Sequence, residues 1–251
     1  MGSAGSDANL LVEAIPDDAS APETQTDRQI GRMNPIAGDH LGEGADDLIG
    51  YLRALRRPRV FIISGPSGVG KDSVIEQLRE RFPNEYFAVT ATTRDRRPGE
   101  MDGVHYHFLD EQEFRERLAN GEFLESANVY GNLYGVLKAP VRAALARGLD
   151  VFIKVDVQGA AEIRRIIPSA ISIFLAPETA STLLQRLKHR KTDDPAELMS
   201  RFSTATRELS VAGEFDYVIF NYQDRLEAAL EDIAAVVTAE RNRTDQTDVH
   251  L

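Results

Sequence analysis

The stretch ISGPSGVGKDSV places Gly65, Gly70 and Lys71 at the G-x-x-x-x-G-K spacing of a loop that wraps phosphates. In such a loop the backbone around Gly65, Pro66, Ser67, Gly68, Val69 and Gly70 forms a cradle of N–H groups, and Lys71 reaches the bound anion. A Ser or Thr is expected next, because its hydroxyl ligates Mg²⁺; this chain has Asp72, followed by Ser73. Two readings stay open. Either the Asp72 oxygen reaches Mg²⁺ directly or through water, since Mg²⁺ prefers hard oxygen ligands, or the loop has slipped by one residue and Ser73 supplies the hydroxyl. Consecutive residues at a helix start point about 100° apart, which disfavours the slip. The plain structural alternative is a glycine-rich turn with an exposed lysine.

A phosphate loop needs a strand before it and a helix after it, and the flanking sequence supplies both. VFIISG is a near-continuous apolar run, as in a strand buried on both faces of a parallel sheet. In KDSVIEQLRERF, Val74, Ile75, Leu78 and Phe82 fall at helical spacing. Further strands are expected at YFAVTATT, VHYHFL, DVFIKVD, AISIFLA and DYVIFN. Helices are expected at DEQEFRERLANG, APVRAALARG, GAAEIRRII, ASTLLQRLKHR, PAELMSRFSTATREL and DRLEAALEDIAAVVTAERNR. Strands alternating with helices predict a three-layer α/β fold with a mainly parallel sheet.

With 251 residues, 42% hydrophobic and 27% charged, the chain can bury one good core with inserted subdomains. Residues 1–57 read as an extension outside it, with ten acids against five bases. Its first 44 residues are rich in Gly, Ala, Ser, Pro and acids without a period, as in a flexible tail or a docking arm. ADDLIGYLRALRR is expected to form a short helix with Leu48, Tyr51, Leu52 and Leu55 on one face, ended by Pro58. Residues 244–251 read as a polar tail.

A net charge of −11 argues against general affinity for nucleic acid or acidic membranes. Zero cysteines rule out disulfides and thiolate metal sites. The N-terminus lacks a basic-then-apolar leader, and no apolar run approaches the roughly 18 residues of a membrane span. A cytoplasmic monomer or small homo-oligomer is expected.

Other residues could complete a site. Arg94 and Arg97, with Tyr106 and Tyr134, suit a second anion site, because guanidinium forks and phenol hydroxyls match a terminal phosphate; the bland reading of RDRR is a solvated basic turn. Glu125, in FLESA, is a surface ion-pair partner or a base reader. A carboxylate accepts from both N1–H and the 2-amino group of guanine, whereas adenine offers neither, and such mismatches reject a near-isostere by about 10⁴-fold. Asp156 closes VFIKVD at the carboxyl end of a strand, where ligands bind in doubly wound folds. His105 and His107 form no convincing metal set.

TTRDRRPGEMDGVHYHF, FLESANVYGNLYG, IKVDVQGA and then Arg186, Arg190 and Arg201 follow the loop in an order that resembles a guanylate kinase over about residues 58–243. The resemblance implies a P-loop nucleoside-monophosphate-kinase-like fold with an inserted GMP-binding subdomain at about 90–140 and a lid at about 187–201. It implies phosphoryl transfer from Mg²⁺-bound ATP to GMP. Thr90, Arg94, Arg97, Tyr106, Glu125, Tyr134 and Asp156 would contact GMP, the loop with Asp72, Ser73 and Asn221 would contact ATP, and Arg186, Arg190 and Arg201 would close over the transferring group. The chain departs from the family pattern at Val136, where a second guanine-facing hydroxyl is expected, and at Lys154, where an acid is usual. Lys154 could offset the charge that Asp72 adds beside the phosphates. Two rivals share the fold: a noncatalytic protein-binding module, and a kinase for a phosphorylated sugar whose loop carries GKD.

Overall fold

The strand VFIIS is buried along its whole length, and its alternate side chains enter two different cores. Phe61 and Ile63 pack with Val74, Leu78, Phe152, Ile173 and Leu175. Val60 and Ile62 pack with Val141, Val151, Ile153 and Ile163. A strand apolar on both faces requires a helical layer on each side, and that requirement sets the three-layer arrangement.

The computed structural model describes residues 41–54, 56–129, 131–188, 195–245, 247, 249 and 251. In chain order the elements are α1 (Leu41–Ala54), β1 (Val60–Ser64), α2 (Lys71–Arg81), β2 (Tyr86–Phe87), β3 (Thr90–Thr92), β4 (His107–Phe108), α3 (Glu111–Ala119), β5 (Phe123–Val129) and β6 (Asn132–Leu137). They continue with α4 (Lys138–Ala146), β7 (Val151–Lys154), α5 (Val157–Ile166), β8 (Ile171–Pro177), α6 (Ala180–Lys188), α7 (Pro195–Leu209), a 3₁₀ turn at Ala212–Glu214, β9 (Tyr217–Asn221) and α8 (Leu226–Arg241). Residues Tyr51–Leu251 form a compact unit that contains every site residue considered below. None of the described helices is long and apolar enough to cross a membrane.

One sheet has the order β2-β7-β1-β8-β9 with every pairing parallel, as the sequence predicts. A second, of order β4-β3-β6-β5, is mixed: β3 runs parallel to β4 and antiparallel to β6. Ala91, Phe114, Phe123 and Leu137 give this second sheet a small core with α3, while Leu124 and Val136 join the larger core that includes Ile163 of α5.

Three expectations need correction. YFAVTATT is two strands: Tyr86 and Phe87 pair with β7, and after Ala88, whose N–H still donates to Phe152 O at 2.9 Å, the chain crosses to the second sheet as β3. The β5–β6 hairpin was not expected from the sequence, because its buried positions change within each strand. The first half of β5 and the last half of β6 are buried, and they lie opposite each other in the register Phe123↔Leu137 and Glu125↔Val136. Finally, α1 starts at Leu41, four residues before the predicted helix; Gly42 and Gly44 lower helix propensity and mask its first turn. The tail over 1–40, Leu55, Arg190 with the rest of 189–194 in the expected lid, and residues 246, 248 and 250 lie outside the described residues.

Candidate active site

At the carboxyl end of β1 the chain turns sharply through Gly65 and Gly70, whose φ angles are 138° and 101°. Neither position has room for a side chain: a Cβ at Gly65 would lie 2.3 Å from Leu175 O, and one at Gly70 would lie 2.6 Å from Asn221 Nδ2. The loop therefore presses against β8 and β9 and runs directly into the start of α2. That is the geometry that attracts an anion to a helix N-terminus.

Lys71 curls back over this loop, and its Nζ donates to Gly65 O at 2.5 Å and Pro66 O at 3.1 Å. Burial pushes its pKa down to about 8, while Glu208, Asp72 and Asp156 pull it back up. Asn221, buried at 5% exposure, donates from Nδ2 to Val69 O at 2.8 Å. Arg186 adds bonds to Val69 O at 3.0 Å and Asn221 O at 3.2 Å. Both side chains thus brace the loop backbone, a use the sequence did not suggest for either. Arg201 donates to Leu187 O at 3.4 Å, joining α7 to the end of α6.

Glu208, near the end of α7, is a site residue that the sequence does not reveal. Its Oε2 accepts the Ser67 N–H at 3.0 Å, so a carboxylate already sits on the loop. Within TATREL it looks like any surface acid, and no local signal marks it.

The second sheet builds the other half of the site. Thr90, Val136 and Glu125 line up across β3, β6 and β5. Glu125 is only 7% exposed, and its pKa is pushed up to about 8, first by burial and then by the nearby Asp156 and Glu162; a bond from the Val136 backbone opposes the shift. Its Oε2 packs against Gly159 of α5 so closely that a Cβ there would lie 3.1 Å away. Val136, where a hydroxyl was expected, is buried in the α5 core instead.

Arg94 stacks over the Tyr106 ring at 5.3 Å, and the Tyr106 and Tyr134 rings meet edge to face at 6.2 Å. Glu100 organises this corner: it accepts from Arg94 Nη2 at 2.7 Å and from the Arg97 backbone at 2.8 Å. Arg94 is held above its usual pKa chiefly by that bond to Glu100. The sequence signal for Glu100 was an acid closing a Pro-Gly turn directly after RDRR. Arg97 is exposed.

Two cavities join these halves. One, of about 240 Å³, has Thr90, Tyr106, Glu125 and Tyr134 on its walls. The other, of about 490 Å³, has the loop residues Ser67, Gly68 and Gly70 and also Glu208. Lys71, Asp72 and Asp156 line both. Ser73 lines neither, so it is Asp72 that faces the site. Asp156 also caps α5, accepting the Gly159 N–H at 2.8 Å. Lys154 Nζ donates to Asp72 Oδ1 at 2.6 Å. Among the described residues no cluster of three or more His or acidic side chains could hold a metal. Asp72 and Asp156 offer hard carboxylate oxygens of the kind Mg²⁺ takes together with phosphate and water.

An anion cradle and a buried carboxylate, facing each other across shared Lys71, Asp72 and Asp156, suit transfer of a charged group between two ligands. The guanylate kinase family profile matches residues 57–240. A guanylate kinase from Carboxydothermus hydrogenoformans is 43% identical over 187 residues, which are 74% of this chain and 91% of that protein. One from Mycobacterium bovis is 45% identical over 181 residues, 71% of this chain and 86% of that protein. The crystal structure of guanylate kinase from Anaplasma phagocytophilum superposes with a TM-score of 0.60 at 29% identity, covering 75% of this chain and 89% of that one. With loop, second sheet and connecting acids all inside the matched span, the chain belongs to the guanylate kinase family.

Proposed function

We propose that the protein transfers the γ-phosphoryl group of Mg²⁺-bound ATP directly to the phosphate of GMP, yielding ADP and GDP. The observation that carries this reading is the meeting of the two cavities at Lys71, Asp72 and Asp156, with the glycine loop on one side and buried Glu125 on the other. In-line phosphoryl transfer depends on positioning and charge stabilisation, and a phosphate oxygen attacks without a general base.

Lys71 and the loop N–H groups hold the donor phosphates. Arg94, Arg97, Tyr106 and Tyr134 hold the acceptor phosphate, with Glu100 fixing the guanidinium. Glu125 and Thr90 read the base, and Asp156 lies between the two ligands. Asp72 and Asp156 are the residues that would hold Mg²⁺, through carboxylate oxygens; when bound, the ion would neutralise charge on the phosphates. Arg186 and Asn221 act on the donor through the loop they brace. Arg201, with Arg190, belongs to the lid that closes over the transferring group and excludes water. The four-stranded sheet with its own small core is the GMP-binding subdomain at about 90–140.

A coupled ADP-release assay with ATP and Mg²⁺ tests the reading, offering GMP, AMP, UMP and ribose 1,5-bisphosphate separately with Lys71→Ala as blank. GMP-dependent turnover absent from the blank is the expected result. GMP binding without turnover would favour a protein-binding module, and turnover with the sugar phosphate alone would favour the other kinase.

Two variants probe the supports. Glu208→Ala removes a charged bond to the loop backbone, an interaction of roughly 1.5–3 kcal/mol. The discount for its partial exposure leaves an expected rise of about threefold to tenfold in KM for ATP with KM for GMP unchanged. Gly159→Ala forces the Glu125 carboxylate to shift by a few tenths of an ångström. Because a 1 Å misplacement costs on the order of 10²-fold in rate, kcat/KM for GMP should fall about tenfold, with KM for ATP unchanged.

A further inference from the structure

Lys154 ends β7 at the carboxyl edge of the parallel sheet, one strand over from the β1 residue Ile63 that leads into the phosphate loop. Its side chain is about one-third exposed and lines the smaller cavity together with Lys71, Asp72 and Asp156. Its Nζ donates to Asp72 Oδ1 at 2.6 Å, and Asp72 lines both cavities. A second ammonium therefore stands beside Lys71 where the two cavities join, held there by a carboxylate from the first turn of α2. An ammonium has three donors, and Asp72 accepts one of them.

We infer that Lys154 is a second phosphate-contacting lysine, oriented by Asp72, which supplies the substrate phosphates with positive charge independent of bound metal. The inference rests on the phosphotransferase reading above. Two functions follow for the pair. Asp72 keeps Lys154 at the junction and stops it from swinging into solvent. Lys154 in turn cancels the charge that an aspartate at this place would otherwise set against the phosphates. The competing reading is that Lys154 is only a counter-ion for Asp72 and touches no substrate.

The two readings diverge in a double-mutant cycle read by equilibrium binding of ATP in EDTA, where no divalent ion contributes. The proteins are wild type, Lys154→Met, Asp72→Ser and the double variant, with Lys154→Arg as the conservative control. Thermal unfolding confirms that each is folded. A phosphate-contacting lysine predicts that Lys154→Met weakens metal-free ATP by about tenfold or more, the size of a charge-assisted bond. It also predicts a smaller but still measurable loss when Lys154→Met is added to Asp72→Ser, where no carboxylate holds the ammonium at the junction, recovery of most of the affinity by Lys154→Arg, and a larger Mg²⁺ requirement for half-maximal turnover by Lys154→Met. A counter-ion alone predicts that Asp72→Ser and the double variant bind alike. That result, or unchanged metal-free affinity in Lys154→Met, would overturn the inference. So would a wild type that binds Mg²⁺-ATP yet loses ATP altogether in EDTA. A wild type that binds ATP under neither condition would refute the phosphotransferase reading itself, so the two failures are distinguishable.

Discussion

Lys71→Met is expected to lower kcat by about 10³-fold while the protein remains folded, on the scale of losing one preorganised charge at a transition state. Met keeps most of the length of the side chain and removes only the ammonium. In the free protein its ammonium is bonded to the Gly65 and Pro66 carbonyls, and its pKa of about 8 records that the site resists the charged form. A lysine whose folded pKa lies below its unfolded value binds fewer protons when folded. Its contribution to stability therefore rises with pH between about 8 and 10.5 and is unfavourable below that window. Removing it should leave the melting temperature at pH 7 unchanged or slightly raised. Catalysis runs the other way: kcat/KM for ATP in the wild type should decline as pH passes about 8, when the free enzyme loses the Nζ proton. Single-turnover rates and thermal melts of the variant, with a pH series on the wild type, check all three outcomes. A variant that retained a tenth of wild-type kcat would remove Lys71 from the transition state.

The second large effect belongs to Glu125. Glu125→Ala is expected to reduce kcat/KM for GMP by about 10³–10⁴-fold and to leave AMP nearly unaffected, because only guanine loses its partner for N1–H and the 2-amino group. The group also makes GMP binding depend on pH. In the free protein burial raises its pKa to about 8, so at pH 6 the carboxyl is protonated and cannot accept from N1–H and the 2-amino group together. Guanine favours the ionised form, so GMP binding should release a proton below pH 8 and tighten as pH rises from 6 to 8, by at most about 100-fold. The sign for folding is opposite. A carboxyl with a raised folded pKa costs no stability below about pH 4.5, and its full cost is reached once pH passes about 8. Calorimetry in buffers of different ionisation enthalpy measures the released proton directly. Proton uptake, or none, would mean that guanine does not meet this carboxylate.

How far these residues could be found without coordinates depends on how local their signal is. The loop, Lys71 and the odd Asp72 are contiguous, and their spacing between an apolar strand and an amphipathic helix points to an anion cradle. The parallel sheet is legible because its strands are apolar on both faces. Glu125 acquires a function only through resemblance to a family, since FLESA by itself suits a surface ion pair. The hairpin that carries it escapes periodicity because burial changes between its two ends. Asp72 and Lys154, two departures from one family pattern, prompt a compensating pair across 82 residues, and the structure brings them to 2.6 Å. Glu208 has no sequence signal and Glu100 only a weak one, for the opposite reason. Each is an ordinary acid in a polar stretch, and its importance arises from a backbone N–H or a guanidinium that the fold delivers to it. Resemblance points to Asn221 and Arg186 as ligand contacts, but only the three-dimensional closeness of β9, α6 and Val69 reveals that they hold the loop.

The first turn of α5 bears on how this protein could change by mutation. Asp156 caps the helix through Gly159, Gly159 leaves the space that Glu125 occupies, and the next residue, Ala160, is part of the main core. Helix initiation, the wall of the pocket proposed to read the base and core packing thus share neighbouring positions. A lineage drifting toward another base would have few neutral single steps available, because a replacement that reshapes the pocket from this side also disturbs a cap or a core contact. Such a switch would have to start on the opposite wall, at Thr90 or Ala127 of the second sheet, where the side chains facing the cavity have no part in starting α5.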